Sequence, residues 1–283
     1  MSDVIKSINE DEINISKVGV FYNSDNSKAK NSAEETLNFL QKNNINAKIL
    51  TTNEYEKDIT TAIVLGGDGT ILKTARFYSR YDVPILGINL GRLGFLSQAK
   101  STQTEDAVNC ILKGAFKIEN RIMLSALNGK LNALNDIVIK GEAFSRTSRL
   151  YVHINGSIVC DYLADGIIIS TPTGSTAYTL SAGGPILSPK LEAVVIVPIC
   201  PHTMNARPIV IPADETITVT SSQNKPLLKI SADGQETVDF GVNESIEIKK
   251  NEYSAKLILL NLEKNSFYSV LKEKLHWGLS WKG

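Results

Sequence analysis

The chain has 283 residues, 42% of them hydrophobic, which is typical of a globular protein with one large domain or two moderate ones. Its 30 lysine and arginine residues balance 30 aspartate and glutamate residues. The molecule therefore has no net field that would draw it to nucleic acid or to an acidic membrane surface.

The cysteine usage and the N-terminus both bear on the cellular compartment. Cys110, Cys160 and Cys200 are widely spaced and form no Cys-x-x-Cys pair, which is typical of reduced thiols rather than of a disulfide framework. Residues 1–11 are polar and acidic, so we expect no secretory signal, and no apolar run approaches membrane-spanning length. We expect a cytoplasmic globular protein without a membrane or nucleic-acid partner.

The first hundred residues alternate between short apolar segments and segments with helical periodicity. Strands are expected at residues 17–23, 45–50, 61–65 and 84–89, and helices at residues 29–42, 70–81 and 102–113. This alternation predicts an α/β domain with a Rossmann-like, open and mostly parallel sheet that has helices on both faces. Ligands of such sheets bind at the carboxyl ends of the strands, where the loops after Leu65 and Asn89 are expected.

The rest of the chain has a different pattern. Short segments rich in β-branched residues follow one another at residues 133–140, 148–154, 157–163, 166–170, 193–198, 216–220, 227–232, 244–249 and 255–260. Turn signals such as Asn155-Gly156 and Asp233-Gly234 separate them. We predict an α/β domain at residues 1–115, a β-rich domain at 116–262, and a tail at 263–283 that packs back on the N-terminal domain.

A glycine-rich turn joins the third strand to the following helix. Gly66 and Gly67 come directly after the apolar run, and Asp68 and Gly69 lead into the helical segment. Backbone N–H groups at such a tip, together with the helix dipole, suit a phosphate, and glycine permits close approach and positive φ. A carboxylate is out of place in a pure phosphate cradle, so Asp68 indicates a group that takes a proton from a hydroxyl or faces a metal. The sequence has neither a Walker A lysine nor a G-x-G-x-x-G fingerprint here.

A second candidate stretch runs from Asp165 to Pro185. A buried strand leads into a loop that is dense in hydroxyl groups and glycine, and the loop ends in Gly183-Gly184-Pro185. Hydroxyl donors beside backbone amides suit ribose, phosphate and base edges, and the Tyr178 ring offers a stacking face for a purine. An exposed serine- and threonine-rich loop is the plainer alternative. The spacing around Ser175 excludes a Gly-x-Ser-x-Gly nucleophile elbow.

For each of three smaller polar clusters the sequence allows two interpretations, one as a ligand-binding group and one as an ordinary turn or surface residue. Asn135-Asp136 either binds sugar hydroxyls or begins a turn, and Arg146 either pairs with a phosphate or lies at a solvated hairpin tip. Gln235 either reaches a ligand or simply follows a hairpin turn. The three histidines are far apart and no cysteine stands at ligand spacing, so the sequence predicts no zinc site. Any metal is expected to be Mg²⁺ that arrives with a nucleotide.

Taken together and in order, these motifs resemble those of the bacterial NAD kinases over about residues 17–240. The matching segments are Gly66-Gly67-Asp68-Gly69-Thr70, Asn89-Leu90-Gly91-Arg92-Leu93-Gly94-Phe95-Leu96, Asn135-Asp136, Thr171-Pro172-Thr173-Gly174-Ser175-Thr176-Ala177-Tyr178, Ser181-Ala182-Gly183-Gly184-Pro185, Arg207-Pro208-Ile209-Val210 and Asp233-Gly234-Gln235. The first motif is shared with lipid kinases and phosphofructokinases, whereas the Thr171–Tyr178 block makes the match specific.

The resemblance implies an activity, its substrates and a set of site residues. It implies transfer of the γ-phosphoryl group of ATP, or of another donor, to the 2′-hydroxyl of the adenosine ribose of NAD, with Mg²⁺ brought in by the nucleotide. It also implies a homodimer or homotetramer. Asp68 matches the family's proton acceptor, and Gly69 belongs to the adjoining phosphate and ribose contact.

The remaining NAD-binding positions are also implied by the resemblance alone. Asn135 and Asp136 match the pair that binds the ribose and phosphate portion, and Asp165 matches an acid near the nicotinamide end that can serve a neighbouring subunit. The loop around the adenosine matches Thr176, Ala177, Tyr178, Thr179, Leu180 and Ser181. Three further residues occupy family-like positions, namely Lys73, Arg146 and Gln235. Leu163 departs from the pattern, because some relatives carry a basic residue there.

Two rival functions share part of this pattern. A lipid or sphingoid-base kinase also carries the Gly66–Gly69 loop but needs an apolar acceptor groove, whereas the block from Asp165 to Ser181 is polar. A non-catalytic dinucleotide sensor could use the same pockets, but it has no need of Asp68. Incubating the protein with ATP and either NAD or diacylglycerol distinguishes an NAD kinase from a lipid kinase. Binding of NADP without turnover would support the sensor.

Overall fold

The protein is described by a computed structural model that covers residues 13–91, 94–141, 147–221, 228–241, 244–260 and 266–276. The chain divides into two compact units, one made of Met1–Glu119 with Lys256–Gly283 and the other of Asn120–Ala255. In sequence, the second unit is therefore an insertion into the first.

The helices of the described residues are mostly short. They are α1 (Ser27–Lys42), α2 (Asp68–Tyr78), α3 (Thr104–Leu112), α4 (Tyr178–Ser181) and α5 (Phe267–Leu275). One-turn 3-10 segments occur at Ser79–Tyr81, Ser101–Gln103 and Thr173–Thr176. In the ranges that the structure covers, none of the helices combines the length and the apolar character needed to cross a bilayer.

Strands make up most of the remaining regular structure. In the first half of the chain they are β1 (Val18–Tyr22), β2 (Ala47–Thr51), β3 (Thr61–Leu65), β4 (Ile85–Asn89), β5 (Ala99–Lys100), β6 (Phe116–Arg121), β7 (Leu124–Ala126), β8 (Leu131–Ala133) and β9 (Asp136–Gly141). They continue as β10 (Ser148–Ile154), β11 (Ser157–Ala164), β12 (Gly166–Ser170), β13 (Ala193–Ile199), β14 (Ile209–Pro212), β15 (Ile217–Ser221), β16 (Leu228–Ala232), β17 (Glu236–Phe240), β18 (Ser245–Lys250) and β19 (Ala255–Leu260).

The first unit is built on a sheet with the strand order β2-β1-β3-β4-β19-β6, and β5 also pairs with β4. The pairs β1–β2, β1–β3, β3–β4 and β4–β19 are parallel. Val18 and Val20 of β1 pack in a cluster with residues of α1 and α3. Phe21, on the opposite face of β1, packs edge-on against Tyr78 of α2. The predicted α/β fold with helices on both faces of a mostly parallel sheet is confirmed.

The second unit contains two antiparallel sheets, with the strand orders β11-β10-β15-β18-β7-β8 and β14-β13-β12-β9-β16-β17. Residues of both sheets share one apolar core. In β12, Ile167 and Ile169 face that core, whereas Ile168 packs on the opposite face with Ala182 and Leu187. Burial on both faces explains why this strand is an uninterrupted apolar run. The β-rich character predicted for this part of the chain is confirmed.

One strand lies in a different sheet from the one its sequence suggests. The sequence pattern assigns residues 255–260 to the β-rich domain, but β19 pairs in parallel with β4, with Leu257 opposite Ile85. Its pattern is that of any apolar strand, and only the non-local pairing decides its sheet. Beyond it, Phe267 of α5 lies in the first unit, with its ring centroid 6.4 Å from that of Phe95.

Candidate active site

The turn between β3 and α2 carries the acidic residue singled out from the sequence. Gly66 N donates a hydrogen bond of 2.9 Å to Ile88 O, which ties the start of the turn to β4. Gly67 is the N-cap of α2, and Thr70 N donates to Gly67 O over 2.9 Å. The helix begins at Asp68 rather than at Thr70 as predicted, so the carboxylate lies in the first helical turn, where the helix dipole favours a negative charge.

One glycine of this turn is needed for a reason other than positive φ. Gly66, Gly67 and Gly69 are all described, and none of them has a positive φ. A Cβ on Gly66 would lie 2.5 Å from Thr70 Oγ1, so glycine is required there by crowding. A Cβ on Gly67 would meet nothing within 4 Å. Gly67 and Gly69 are exposed, which leaves their surfaces open to a ligand.

The half-buried carboxylate of Asp68 is held by the backbone of the loop after β4. Phe95 N donates to Oδ2 over 2.9 Å, and Leu96 N donates to Oδ1 over 3.3 Å. A carboxylate offers about four lone-pair positions, so these two bonds leave acceptor capacity for a further hydroxyl. The loop fixes the orientation of the carboxylate without consuming its ability to accept a proton.

Gly94 makes this close approach possible. A Cβ at this position would lie 2.5 Å from Asp68 Cγ and would overlap Oδ1, which no rotation of the added methyl group could relieve. Gly94 N in turn donates to Ser97 Oγ over 2.7 Å, which holds the glycine in place from the other side. Arg92 and Leu93 of the same motif lie outside the described residues.

Two basic side chains of the first unit lie on α2 and α5. Lys73 of α2, one of the residues implied by the family resemblance, donates from Nζ to Asn53 Oδ1 over 2.6 Å. Lys274 of α5 places its Nζ 5.6 Å from the centroid of the Phe95 ring. Lys73 thus lies on the same helix as Asp68, about one and a half turns further along.

In the second unit, Asn135 and Asp136 lie where β9 begins, beside the end of β12. Asp136 is the register partner of Ser170. Thr171 N donates to Asn135 O over 2.9 Å, and Thr171 Oγ1 donates to Leu134 O over 2.6 Å. The structure therefore brings the Asn135-Asp136 pair and the start of the hydroxyl-rich loop together.

The hydroxyl groups of this loop divide into an inner and an outer set. Ser175 Oγ donates to Pro172 O over 2.6 Å and accepts from Leu187 N over 3.0 Å, so it holds the loop together. Thr179 is 0% exposed, which removes it from any surface contact with a ligand. Tyr178 and Ser181 are exposed, and Thr176 is half-buried. Of the hydroxyl groups predicted at residues 176–181, these three are open to solvent.

Asp136 is buried, with 4% of its surface exposed. Burial raises the pKa of its carboxyl group to about 7, and the nearby charge of Asp233 acts in the same direction. A carboxyl group in this range is a hydrogen-bond donor when protonated and an acceptor when ionised.

This raised pKa predicts a pH dependence of stability. The native state retains the Asp136 proton to higher pH than the unfolded chain does. The contribution of protonated Asp136 to the free energy of unfolding is therefore fully present below about pH 4 and is lost as the pH rises to about 7. Relative to Asp136→Asn, the wild-type free energy of unfolding should fall over this window by at most about 4 kcal/mol. Urea unfolding of both proteins between about pH 4 and pH 7 measures this difference in the free energy of unfolding. The exposed Asp214→Asn is the control, and equal pH slopes for wild type and Asp136→Asn would contradict the assignment.

Asp165 lies at the other end of β12 from Asn135 and Asp136. It is exposed and comes just before Gly166, the partner of Lys140, whereas Asp136 pairs with Ser170. Burial raises the pKa of the Tyr178 hydroxyl, and the charges of Cys200, Asp136 and Asp165 raise it further. Tyr178 is therefore within electrostatic reach of carboxylates at both ends of the strand.

Three further polar residues differ in how they relate to the predicted site. Arg121 was not singled out from the sequence, yet it is buried and its Nη1 donates to Thr173 Oγ1 over 3.2 Å. Gln235 is exposed, and its N donates to Ala232 O over 3.0 Å. Arg146 lies outside the described residues.

Across the ranges that the structure describes, no three His, Cys, Asp or Glu side chains are grouped to hold a metal ion.

Comparison with known proteins identifies the family. The family model of the ATP-NAD kinase N-terminal domain matches residues 14–116, and that of the ATP-NAD kinase C-terminal domain matches residues 134–260. The chain belongs to the ATP-NAD kinase family. The resemblance inferred from the motifs is thereby confirmed.

Individual relatives agree with this assignment. The NAD kinase of Moorella thermoacetica is 37% identical over 281 residues, which cover 93% of this chain and 90% of the relative. An NAD kinase from Archaeoglobus fulgidus, solved in complex with ATP, superposes with a TM-score of 0.77 at 27% identity and covers 91% of this chain and 98% of its own. Yeast NADH kinase shares the fold, with a TM-score of 0.83 at 23% identity over 95% of this chain and 89% of its own.

Proposed function

We propose that the chain transfers the γ-phosphoryl group of ATP, or of another phosphoryl donor, to the 2′-hydroxyl of the adenosine ribose of NAD, and so forms NADP. The observation that carries this proposal is the carboxylate of Asp68, which the amides of Phe95 and Leu96 hold at the start of α2 in a member of the ATP-NAD kinase family.

In the proposed reaction, Asp68 accepts the proton of the ribose 2′-hydroxyl. The hydroxyl oxygen forms a bond to the γ-phosphorus, the bond from that phosphorus to the bridging oxygen of ATP breaks, and ADP leaves. A ribose hydroxyl is a very weak acid, so a carboxylate within hydrogen-bond reach lowers the barrier by taking the proton as the new bond forms. The remaining acceptor capacity of the held carboxylate supports this role.

The phosphate groups are proposed to lie at the turn formed by Gly66, Gly67 and Gly69. The exposed surfaces of Gly67 and Gly69 at the start of α2 support this placement, since a helix N-terminus favours anions. Mg²⁺ is proposed to enter as part of the ATP substrate, bound to its phosphate oxygens.

The NAD contacts are proposed from the resemblance, and those of the loop around the adenosine also from exposure. Asn135 and Asp136 would bind the ribose and phosphate portion, and Asp165 the nicotinamide end. The adenosine is proposed to contact the accessible members of the loop, which are Thr176, Ala177, Tyr178, Leu180 and Ser181. Thr179 is buried and would support this segment from within. Further contacts are proposed for Gly69 at the ribose and for Lys73, Arg146 and Gln235.

An assay of NADP formation tests the activity. Purified protein is incubated with NAD or NADH and with ATP or inorganic polyphosphate, and NADP or NADPH is measured with a coupled NADP-specific dehydrogenase. We expect product with ATP and NAD. No product with any donor would remove the proposal, and phosphorylation of diacylglycerol instead would favour a lipid kinase.

Replacing Tyr178 with alanine tests the stacking role. We expect the Kd for NAD to rise about tenfold, since stacking of a base on an aromatic ring contributes about 1–3 kcal/mol, with a smaller change in kcat. Tyr178→Phe keeps the ring and should bind as wild type does. Tyr178 is 39% exposed and Tyr253, in the same unit, is 42% exposed, so Tyr253→Ala is the matched control. An unchanged Kd in Tyr178→Ala, measured by calorimetry, would exclude stacking.

The compartment and the assembly are further parts of the proposal. We propose a cytoplasmic enzyme, which is supported by the free thiols Cys110, Cys160 and Cys200. A homodimer or homotetramer is proposed from the family resemblance, and sedimentation at several protein concentrations would measure it.

A further inference from the structure

Asp233 lies in the tight turn between β16 and β17. Asp233 and Gly234 have φ values of 51° and 64°, so both lie in the left-handed region that aspartate and glycine tolerate better than most residues. The sequence explains the residue as a turn former. Its side chain, however, makes contacts that the turn does not require.

The Asp233 carboxylate accepts hydrogen bonds from three consecutive backbone amides. Asn135 N and Asp136 N donate to Oδ1 over 2.7 and 3.2 Å, and Leu134 N donates to Oδ2 over 3.1 Å. In return, Asp233 N donates to Asp136 O over 2.9 Å. Hydrogen bonds to an ionised group are about twice as strong as neutral ones, so this contact fixes the segment 134–136 firmly.

The other side of the same segment is fixed by the hydroxyl-rich loop. Thr171 donates to Asn135 O and Leu134 O, and Ser170 Oγ donates to Asn135 O over 3.2 Å. Gly174 lies so close that a Cβ there would be 2.5 Å from the carbonyl carbon of Asn135. The backbone that carries the Asn135 and Asp136 side chains is therefore held between the loop and Asp233.

A second hairpin in the same unit shows that the turn itself does not need these bonds. Asn155 and Gly156 also form a turn with two positive φ values. There the side chain accepts one backbone bond, from Thr216 N to Asn155 Oδ1 over 3.0 Å. The three bonds of Asp233 are thus an addition to the turn geometry, and all of them go to the start of β9.

We propose that Asp233 is a positioning residue that sets the backbone of residues 134–136 and thereby aims the Asn135 and Asp136 side chains at NAD. This inference rests on the proposed function, because it assigns those two side chains to the substrate. In this proposal Asp233 acts through the backbone and makes no contact with the reacting atoms.

Two substitutions of graded severity test it. Asp233→Asn retains one acceptor oxygen and a residue type that tolerates the turn, whereas Asp233→Ala removes every acceptor. Asp239→Asn, in the same hairpin with a side chain 90% exposed, is the control. The measurements are KM for NAD, KM for ATP and kcat, together with hydrogen exchange of the amides of residues 134–136 and calorimetric binding of NAD.

We expect KM for NAD to rise about tenfold in Asp233→Ala and about threefold in Asp233→Asn, with kcat and KM for ATP within about twofold of wild type. Amide exchange at residues 134–136 should accelerate in the same order. An unchanged KM for NAD and unchanged exchange would overturn the proposal, as would equal losses in all kinetic constants. If Asp233→Ala does not fold, KM for NAD and amide exchange in Asp233→Asn decide whether the proposal holds. If wild type forms no NADP, the proposed function fails, while NAD binding and exchange still test Asp233.

Discussion

Replacing Asp68 with asparagine is expected to lower kcat for NADP formation by roughly 100-fold or more, with little change in the Kd for NAD. The amide keeps the size of the side chain and one acceptor oxygen for the amides of Phe95 and Leu96, but it no longer accepts the ribose proton. Turnover is measured with saturating ATP and NAD, and binding by calorimetry.

The matched control is Asp25→Asn, which makes the same chemical change at an exposed turn of the same unit. We expect it to retain wild-type kcat. Near-normal turnover in Asp68→Asn would remove Asp68 from the mechanism, and loss of turnover in both variants would point to a general effect of the substitution.

Replacing Gly94 with alanine is expected to be comparably severe without altering any proposed catalytic group. The added Cβ would overlap Asp68 Oδ1, so either the carboxylate or the loop has to move. A displacement of about 1 Å in a reacting group can cost about 100-fold in rate, and we expect a loss of kcat of that order.

Gly91→Ala is the control for this change, because it lies in the same loop and its Cβ would meet only Asn89 Oδ1, at 3.7 Å. We expect Gly91→Ala to retain activity. If Gly94→Ala turned over NAD at the wild-type rate, the carboxylate would not need the position in which the loop holds it. Thermal unfolding of both variants separates loss of fold from loss of positioning.

Features encoded by neighbouring residues were predictable from the sequence. The apolar run of β3, the glycine-rich turn and the helix that follows are local signals, and they place Asp68 at a strand end where ligands bind. The helix nevertheless starts two residues before the predicted position, because an acidic residue is well tolerated in the first turn and Gly67 provides the cap.

Features that depend on distant pairs were not predictable. Leu134 and Asp233 are 99 residues apart, so no local pattern indicates that the carboxylate binds three amides at the start of β9. The overlap that requires Gly94 likewise involves a side chain in another element. For the hydroxyl-rich loop, composition cannot distinguish Ser175, which bonds inward, from Ser181, which is exposed.

The place of β19 in the first sheet bears on how the chain folds during synthesis. This strand lies between β4 and β6, although its residues are translated after the whole second unit. The second unit is continuous in sequence and can fold once Ala255 has left the ribosome, as domains generally fold as units. Leu260 N of β19 donates to Gln98 Oε1 over 3.3 Å, just beyond the loop that holds Asp68. The surroundings of that loop are therefore completed late in translation, after the C-terminal strand has emerged.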